Sequence, residues 1–177
     1  SGRLREELGQ LPPGDIRQCL VALAPDGRST ALLAQLFDYR FNAGNGLLGH
    51  SFGNLFLTAL TEITGNTATA ISEAARMLAI KGVVLPVTLT KSTLIACLED
   101  GTEVVGEANI DQRSKNLDVN IDYIYLEPKA YAYPPVLEAI ERADALIMGP
   151  GDIYTSIIPN LLVEDVAQAI RSSTATK

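Results

Sequence analysis

Ala145-Leu146-Ile147-Met148-Gly149-Pro150-Gly151-Asp152-Ile153-Tyr154-Thr155-Ser156-Ile157-Ile158-Pro159 is the stretch on which the fold turns. Its four opening apolar residues have the form of a short strand buried on both faces of a parallel sheet. Gly149 and Gly151 let the backbone approach a ligand closely, Pro150 stiffens the turn, and the amides that follow can point at an anion. Thr155 and Ser156 add hydroxyl donors, and Tyr154 offers a ring for stacking on a base or sugar. Gly-Pro-Gly also meets the steric needs of a plain strand-to-helix turn, so the tripeptide alone leaves both readings open. The hydroxyls behind it favour phosphate or nucleotide.

Outward from this stretch the pattern alternates. Pro134-Pro135 opens a helix that faces Val136, Ala139, Ile140 and Ala143 inward, and Leu161 to Ile170 reads as a closing helix. Upstream, Val83 to Leu89 reads as a strand with Pro86 at an edge or bulge. Leu94 to Leu98 reads as the next, turning through Glu99-Asp100-Gly101-Thr102 into a partner at Glu103 to Gly106, with a further strand at Tyr123 to Leu126. Four helices are expected before them: one capped by Asp15 with Ile16, Cys19, Leu20 and Leu23 in line, then Ala31 to Tyr39, Leu55 to Ile63 closed by Gly65, and Ala68 to Leu78. A short amphipathic stretch from Leu4 to Gly9, stopped by Pro12-Pro13, precedes them. Helices alternating with strands indicate an α/β layer fold, read as one domain over 1–177 with 83–126 as a β-rich extension. In open α/β sheets ligands sit beyond the carboxyl ends of strands, where Gly149 to Ser156 falls.

Composition removes several functions. The chain has 177 residues and a net charge of -7 with no basic stripe, so nucleic acid is not an expected partner. No apolar run approaches the ~20 residues of a membrane span, and a cytoplasmic setting is expected. Cys19 and Cys97 lie far apart in apolar surroundings and read as buried thiols. With a single histidine there are almost no ligands for a zinc site, and no metal site is expected. The opening Ser1-Gly2-Arg3, without a methionine, reads as the middle of a loop and suggests a fragment.

A second polar constellation is Gly49-His50-Ser51-Phe52-Gly53-Asn54, at the start of a helix that is apolar nearly all round. Ser51 can cap that helix while His50 and Asn54 point into a cleft; equally, His50 can satisfy a neighbouring carbonyl. The spacing also matches a serine nucleophile elbow, but the preceding residues form no convincing strand, and the one histidine adjoins that serine. Arg40, set between Tyr39 and Phe41 beside the Asn42–Gly46 loop, is a better anion clamp than Arg3 or Arg5, and Asn45 in that loop can close over a ligand.

Taken together, SGRLREELGQLPPGDIRQCLVAL, YRF, GLLGHSFGNLFLTALTEITG, VLPVT and the run from Ala143-Asp144 through GPGDIYTSIIPNLLV resemble the CofD-like family, and more closely its gluconeogenesis-factor (YvcK-type) branch. The resemblance covers nearly the whole chain. It implies a Rossmann-like three-layer α/β fold with a mainly parallel sheet and a β-hairpin extension. It also implies a regulatory protein that binds UDP-sugars, associated with growth on gluconeogenic carbon sources and with cell shape, acting without turnover. The related 2-phospho-L-lactate transferases instead move a phospholactyl group from a nucleotide-activated donor, with a divalent metal. Their glycine-proline pair typically runs into serine, asparagine and proline; here Gly151-Asp152-Ile153-Tyr154 follows, which favours the regulatory branch. Asp152, where family members often carry serine, puts a carboxylate near the anion site, suited to sugar hydroxyls or ribose. The first strand, glycine-rich loop and aspartate pair expected of the family do not occur in the chain, and the open sheet edges this implies make self-association plausible.

Overall fold

The structure, a computed structural model, describes residues 14–43, 46–114 and 119–177. The expected stretch from Leu4 to Gly9, its Pro12-Pro13 stop, Arg3, Arg5 and Asn45 lie outside the described residues. The chain divides into two compact units, the first ending at Pro86 and the second running from Val87 to Lys177.

Among its described residues the first unit holds four helices: α1 (Gly14–Ala22), α2 (Arg28–Asp38), α3 (Phe52–Thr64) and α4 (Thr67–Met77). Each sends one residue into a common core, Leu20, Phe37, Leu57 and Ala74 in turn, with Leu78 just beyond α4. Burying a leucine or phenylalanine fully contributes roughly 1.5–3 kcal/mol, so these few side chains hold the bundle. Phe56 adds a tilted ring contact to Phe37 at 5.0 Å. The ends are set locally. Ser51 caps α3, Asn66 caps α4 through a 2.8 Å bond from the Thr69 amide, and Gly65 stops α3 at φ 80° with its amide on the Thr61 carbonyl.

Two expectations change here. Asp15 lies inside the first turn of α1 rather than at its cap. Also, α3, expected from its apolar residues to be buried on most of its surface, keeps a line at four-residue spacing in which Leu55 is half-buried, Ala59 is exposed and Ile63 is 80% exposed. The inward face carries Gly53, Asn54, Leu57 and Thr58, three of them not apolar. Cys19 is likewise exposed, because Ile16 and Leu20, one turn apart, take the core-facing line and Cys19 sits about 100° round the helix from Leu20. Cys97 is half-buried.

The second unit is built on an antiparallel sheet of β1 (Thr93–Leu98), β2 (Glu103–Val105) and β3 (Ile121–Glu127) in the order β2-β1-β3. Asp100 and Gly101 make the expected hairpin turn: the Asp100 carboxylate accepts the Thr102 amide at 2.9 Å, and Gly101 sits at φ 83°. Leu94, Ala96 and Leu98 point to the buried face, the period-two alternation of a half-covered strand. Helix α5 (Glu107–Ser114) covers that face through Ile110, which packs with Leu94, Ala96 and Ile124. The sequence pattern gives no element there.

After β3 come α6 (Pro134–Arg142), a π-helical turn (Ile153–Ile157), α7 (Ile158–Leu162) and α8 (Val166–Ser172). Ala130, Ile140, Val163 and Val166 form their core. The closing helix expected in one piece is therefore two, since Asp165 takes a left-handed conformation (φ 71°, ψ -19°) between them.

The chain is mixed α/β, as expected. Its named strands pair antiparallel, and among the described residues parallel pairing is confined to bridges between Tyr131 and Glu164 and between Ala145 and Thr176. The two expected strands at 83–89 and 145–148 run without a ladder beyond the single bridges Thr88–Ala132 and Ala145–Thr176. Pro86 removes a ladder donor from the first. In the second, Leu146 bonds the Thr176 carbonyl at 2.7 Å, but Ile147 is 90% exposed. Four apolar residues in a row specify a segment that favours burial without supplying the neighbours that bury it. No helix among the described residues is long and apolar enough to cross a membrane.

Candidate functional site

In the first unit the residues between α2 and α3 fold back as a small hairpin. Phe52 donates its amide to Tyr39 (2.8 Å), Phe41 donates to His50 (2.9 Å) and Gly49 donates to Phe41 (2.8 Å), with Arg40 bridged to Ser51. Tyr39 and Phe41, on alternate positions, meet edge to face at 5.2 Å. Arg40 therefore projects to the other side, where its guanidinium bonds the Gly49 carbonyl at 2.6 Å. Gly49 can serve this way because it sits at φ 80°, a conformation costly for any residue with a side chain. Arg40, Gly49, His50 and Ser51 are thus brought together by backbone pairing at the start of α3.

Their roles differ. Ser51 is 2% exposed; its hydroxyl accepts the Asn54 amide at 3.3 Å and donates to the Phe37 carbonyl at 3.4 Å, so it serves the helix start rather than a ligand. His50 is half-buried, with its own amide on the Leu47 carbonyl at 2.9 Å. Asn54 is 6% exposed, and its Oδ1 is buried with no hydrogen-bond partner among the described residues. An unpaired buried acceptor costs about 1–3 kcal/mol.

Arg17 is a buried charge that the sequence pattern does not single out. It is 7% exposed, its NH1 is paired with the Asp38 carboxylate at the end of α2, and its Nε has no partner. Its aliphatic stem lies against Gly53, where an added Cβ would meet Arg17 Cδ at 2.9 Å and the Phe37 carbonyl oxygen at 2.6 Å. The signal was present: Arg17 lies three residues before Leu20 and so shares the core-facing side of α1.

In the second unit Gly149 to Gly151 form an exposed turn. Gly149 is at φ 102°, and a Cβ on Gly151 would stand 2.8 Å from Ser156 Cβ, so both glycines are required sterically. The amides of Tyr154 to Ile157, among those expected to face an anion, are already used. The Asp152 carboxylate accepts from the amides of Tyr154 (2.9 Å) and Thr155 (3.1 Å) and from the Thr155 hydroxyl (3.2 Å). Asp152 is thus a tethered anion at the start of the π-turn, and Thr155 is committed to it. The main-chain carbonyl of Asp152 accepts from the amides of Ser156 and Ile157 at 3.0 and 2.9 Å. Tyr154 packs against the Leu94–Ala96–Ile110–Ile124 cluster instead of presenting its ring for stacking. Pro150 is exposed at the tip of the turn.

Among the described residues no group of three or more His, Cys, Asp or Glu side chains is placed to hold a metal ion. On the sheet, the Tyr125 hydroxyl donates to Glu103 at 2.8 Å, and this bond, with some burial, pushes the phenol up to about 12. A hydrogen bond with Cys97 raises its neighbour Tyr123 as well.

Comparison with known proteins places this architecture. The family model described as 2-phospho-L-lactate transferase CofD matches residues 1–177. The chain belongs to the CofD family. This CofD-family chain is 47% identical over 178 residues to a gluconeogenesis factor of Halalkalibacterium halodurans, covering all of this chain and 53% of that protein. It is 42% identical over 178 residues to the gluconeogenesis factor of Bacillus subtilis, covering all of this chain and 54% of the relative. A crystal structure of a UPF0052 family member from Bacillus halodurans superposes with a TM-score of 0.91 at 46% identity, covering the whole of this chain and 55% of that one. The chain thus spans about half the length of these relatives.

Proposed function

We propose that this CofD-family chain is part of a cytoplasmic regulatory protein of the gluconeogenesis-factor type, one that binds a nucleotide sugar and acts by binding rather than turnover. In the cell it would support growth on gluconeogenic carbon sources and maintenance of cell shape. The reading draws on the names carried by relatives 42–47% identical over the whole chain. The observations that support its site are the hairpin at the start of α3, which holds Arg40 beside Gly49 and Ser51 with His50 between them, and the unpaired buried acceptor of Asn54 in the first turn of α3. In this reading Arg40 exchanges the Gly49 carbonyl for a phosphate oxygen, a stronger charge-assisted bond, and His50 and Asn54 supply the polar contacts that fix orientation. The Gly149–Ser156 turn is given no diphosphate contact, because Asp152 occupies its amides. Calorimetric titration of UDP-N-acetylglucosamine tests this: His50→Ala and Arg40→Ala should each weaken binding about tenfold, the worth of one lost polar contact. Unchanged affinity in both variants would remove the hairpin from the site.

The family description itself favours a second reading, a transferase of phosphorus-containing groups. It predicts a phospholactyl product from a nucleotide-activated donor and a flavin-like acceptor in the presence of a divalent metal. Binding of UDP-sugar without any such product decides against it.

A further inference from the structure

We propose that the groove between α6 and α8 docks a basic amphipathic segment of another protein. The segment would insert an apolar side chain between the two helices and set Lys or Arg side chains against the carboxylates of the rim. This goes beyond the nucleotide-sugar reading and involves none of its residues.

The groove has a volume of about 640 Å³. That lies within the roughly 300–1,000 Å³ typical of real ligand sites. Its apolar floor comes from Leu137 of α6 and Ala169 of α8. Glu138 and Glu141 rise from α6 on one wall, and Asp165 stands at the head of α8 on the other. None of the lining residues is a Lys or Arg. Asp165 occupies the helix-cap position, where an aspartate ordinarily bonds the first amides, yet its side chain makes no capping bond and lines the groove instead. Lys129, whose charge reaches Asp165, is bonded to Glu164 at 2.7 Å and does not line the groove. None of the three rim side chains forms an ion pair or hydrogen bond with a described residue.

Glu138 and Glu141 have no ion-pair partner among the described residues and share the rim with Asp165, which the Lys129 charge reaches from outside the groove, so a partner that brings ammonium or guanidinium groups adds counter-charge there. The long apolar stem of lysine or arginine suits a site whose floor is apolar and whose rim is charged. A helix-in-groove mode meets both demands, with an apolar anchor below and basic residues one turn to either side. The bland alternative is a solvated acidic surface on a chain whose net charge is -7. That alternative predicts attraction of any cation anywhere on the surface, and the test separates the two.

The probe is a fluorescein-labelled helical leucine-lysine peptide, with a leucine-glutamate peptide of the same pattern as control. Fluorescence anisotropy is read for the parent chain, for the groove variant Glu138→Gln/Glu141→Gln/Asp165→Asn, and for a distal variant Asp26→Asn/Glu62→Gln/Asp122→Asn with the same change in net charge. Thermal melts establish that both variants fold; these are exposed positions where such changes are small. The expected result is saturable binding of the lysine peptide only, weakened about tenfold in the groove variant and less than about twofold in the distal one. Ala169→Met, which fills the floor, should weaken it as well. Equal losses in the two triple variants, or no saturable binding, overturn the proposal. Complete displacement of the peptide by spermine at matched charge concentration assigns the groove to small amines and overturns it too.

Discussion

Gly53→Ala is the substitution that tests the packing of the candidate site most sharply. Gly53 is the second residue of α3, and its Cα faces the Phe37 carbonyl and the stem of Arg17. A Cβ there would lie 2.6 Å from a backbone oxygen and 2.9 and 3.0 Å from Arg17 Cδ and Cγ. The oxygen belongs to the last turn of α2 and cannot rotate away. The arginine stem is buried and its guanidinium is anchored on Asp38, so it cannot swing out either. Overpacking of this kind costs about 1–3 kcal/mol. Alanine regains up to about 1 kcal/mol of helix propensity, less at a first turn, which leaves a net loss of about 2 kcal/mol. With a urea m-value of about 1–3 kcal/mol/M, the unfolding midpoint should fall by about 1 M, read by circular dichroism at the helical band. Two other glycines calibrate the result. Gly46→Ala meets nothing within 4 Å and should change stability by less than about 0.5 kcal/mol. Gly65→Ala also has open space but sits at φ 80°, and should cost about 1 kcal/mol through backbone strain alone. An order other than Gly53 above Gly65 above Gly46 would refute the reasoning, and a Gly53→Ala midpoint at or above the parent's would refute it outright.

Three further outcomes follow from named contacts. Asn54→Leu removes an unpaired buried acceptor, so stability should change by less than about 1 kcal/mol or rise, while nucleotide-sugar binding is lost; a large fall in melting temperature would mean that Asn54 serves the fold. Asp152→Ala deletes the acceptor of two amides and should cost about 1 kcal/mol by chemical denaturation, with Asp152→Asn recovering most of it; no difference between the two variants would deny the cap. Tyr125 should ionise near pH 12 and shift back toward 10 in Glu103→Gln, followed by NMR of the ring carbons. Its folded value is raised, so the stabilisation from that bond is complete below pH 10 and is lost as pH rises through about 12; an unshifted phenol in the parent would remove the bond.

Much of the local structure was legible because single residues dictate it. Asp100-Gly101 fixed the hairpin, Ser51 and Gly65 marked the two ends of α3, and Ile16 and Leu20 at four-residue spacing found the inner face of α1. Helix α5 was invisible because Ile110 is its one buried anchor, and a single apolar residue has no periodicity. The segment at 145–148 read as a buried strand since its composition reports a preference for burial, whereas a ladder depends on neighbours remote in sequence. At the candidate site the residue types were recognised but not their commitments. Asp152 was read as an adjunct to an anion site, yet its carboxylate lies closer to the amides of its own turn than any external anion could without displacing it. The sequence pattern does not single out Arg17. Its burial follows from the absence of a side chain at Gly53, a three-dimensional relation between α1 and α3 that no local window contains.

The most direct test of the central claim is calorimetric titration of UDP-N-acetylglucosamine into this chain and into the longer Halalkalibacterium halodurans relative, each beside a variant with alanine at His50 or its aligned position. The account predicts saturable binding with one ligand per chain, weakened about tenfold by the alanine, the size expected for one lost polar contact. Absence of binding heat from both proteins, or equal affinity with and without the histidine, would contradict it.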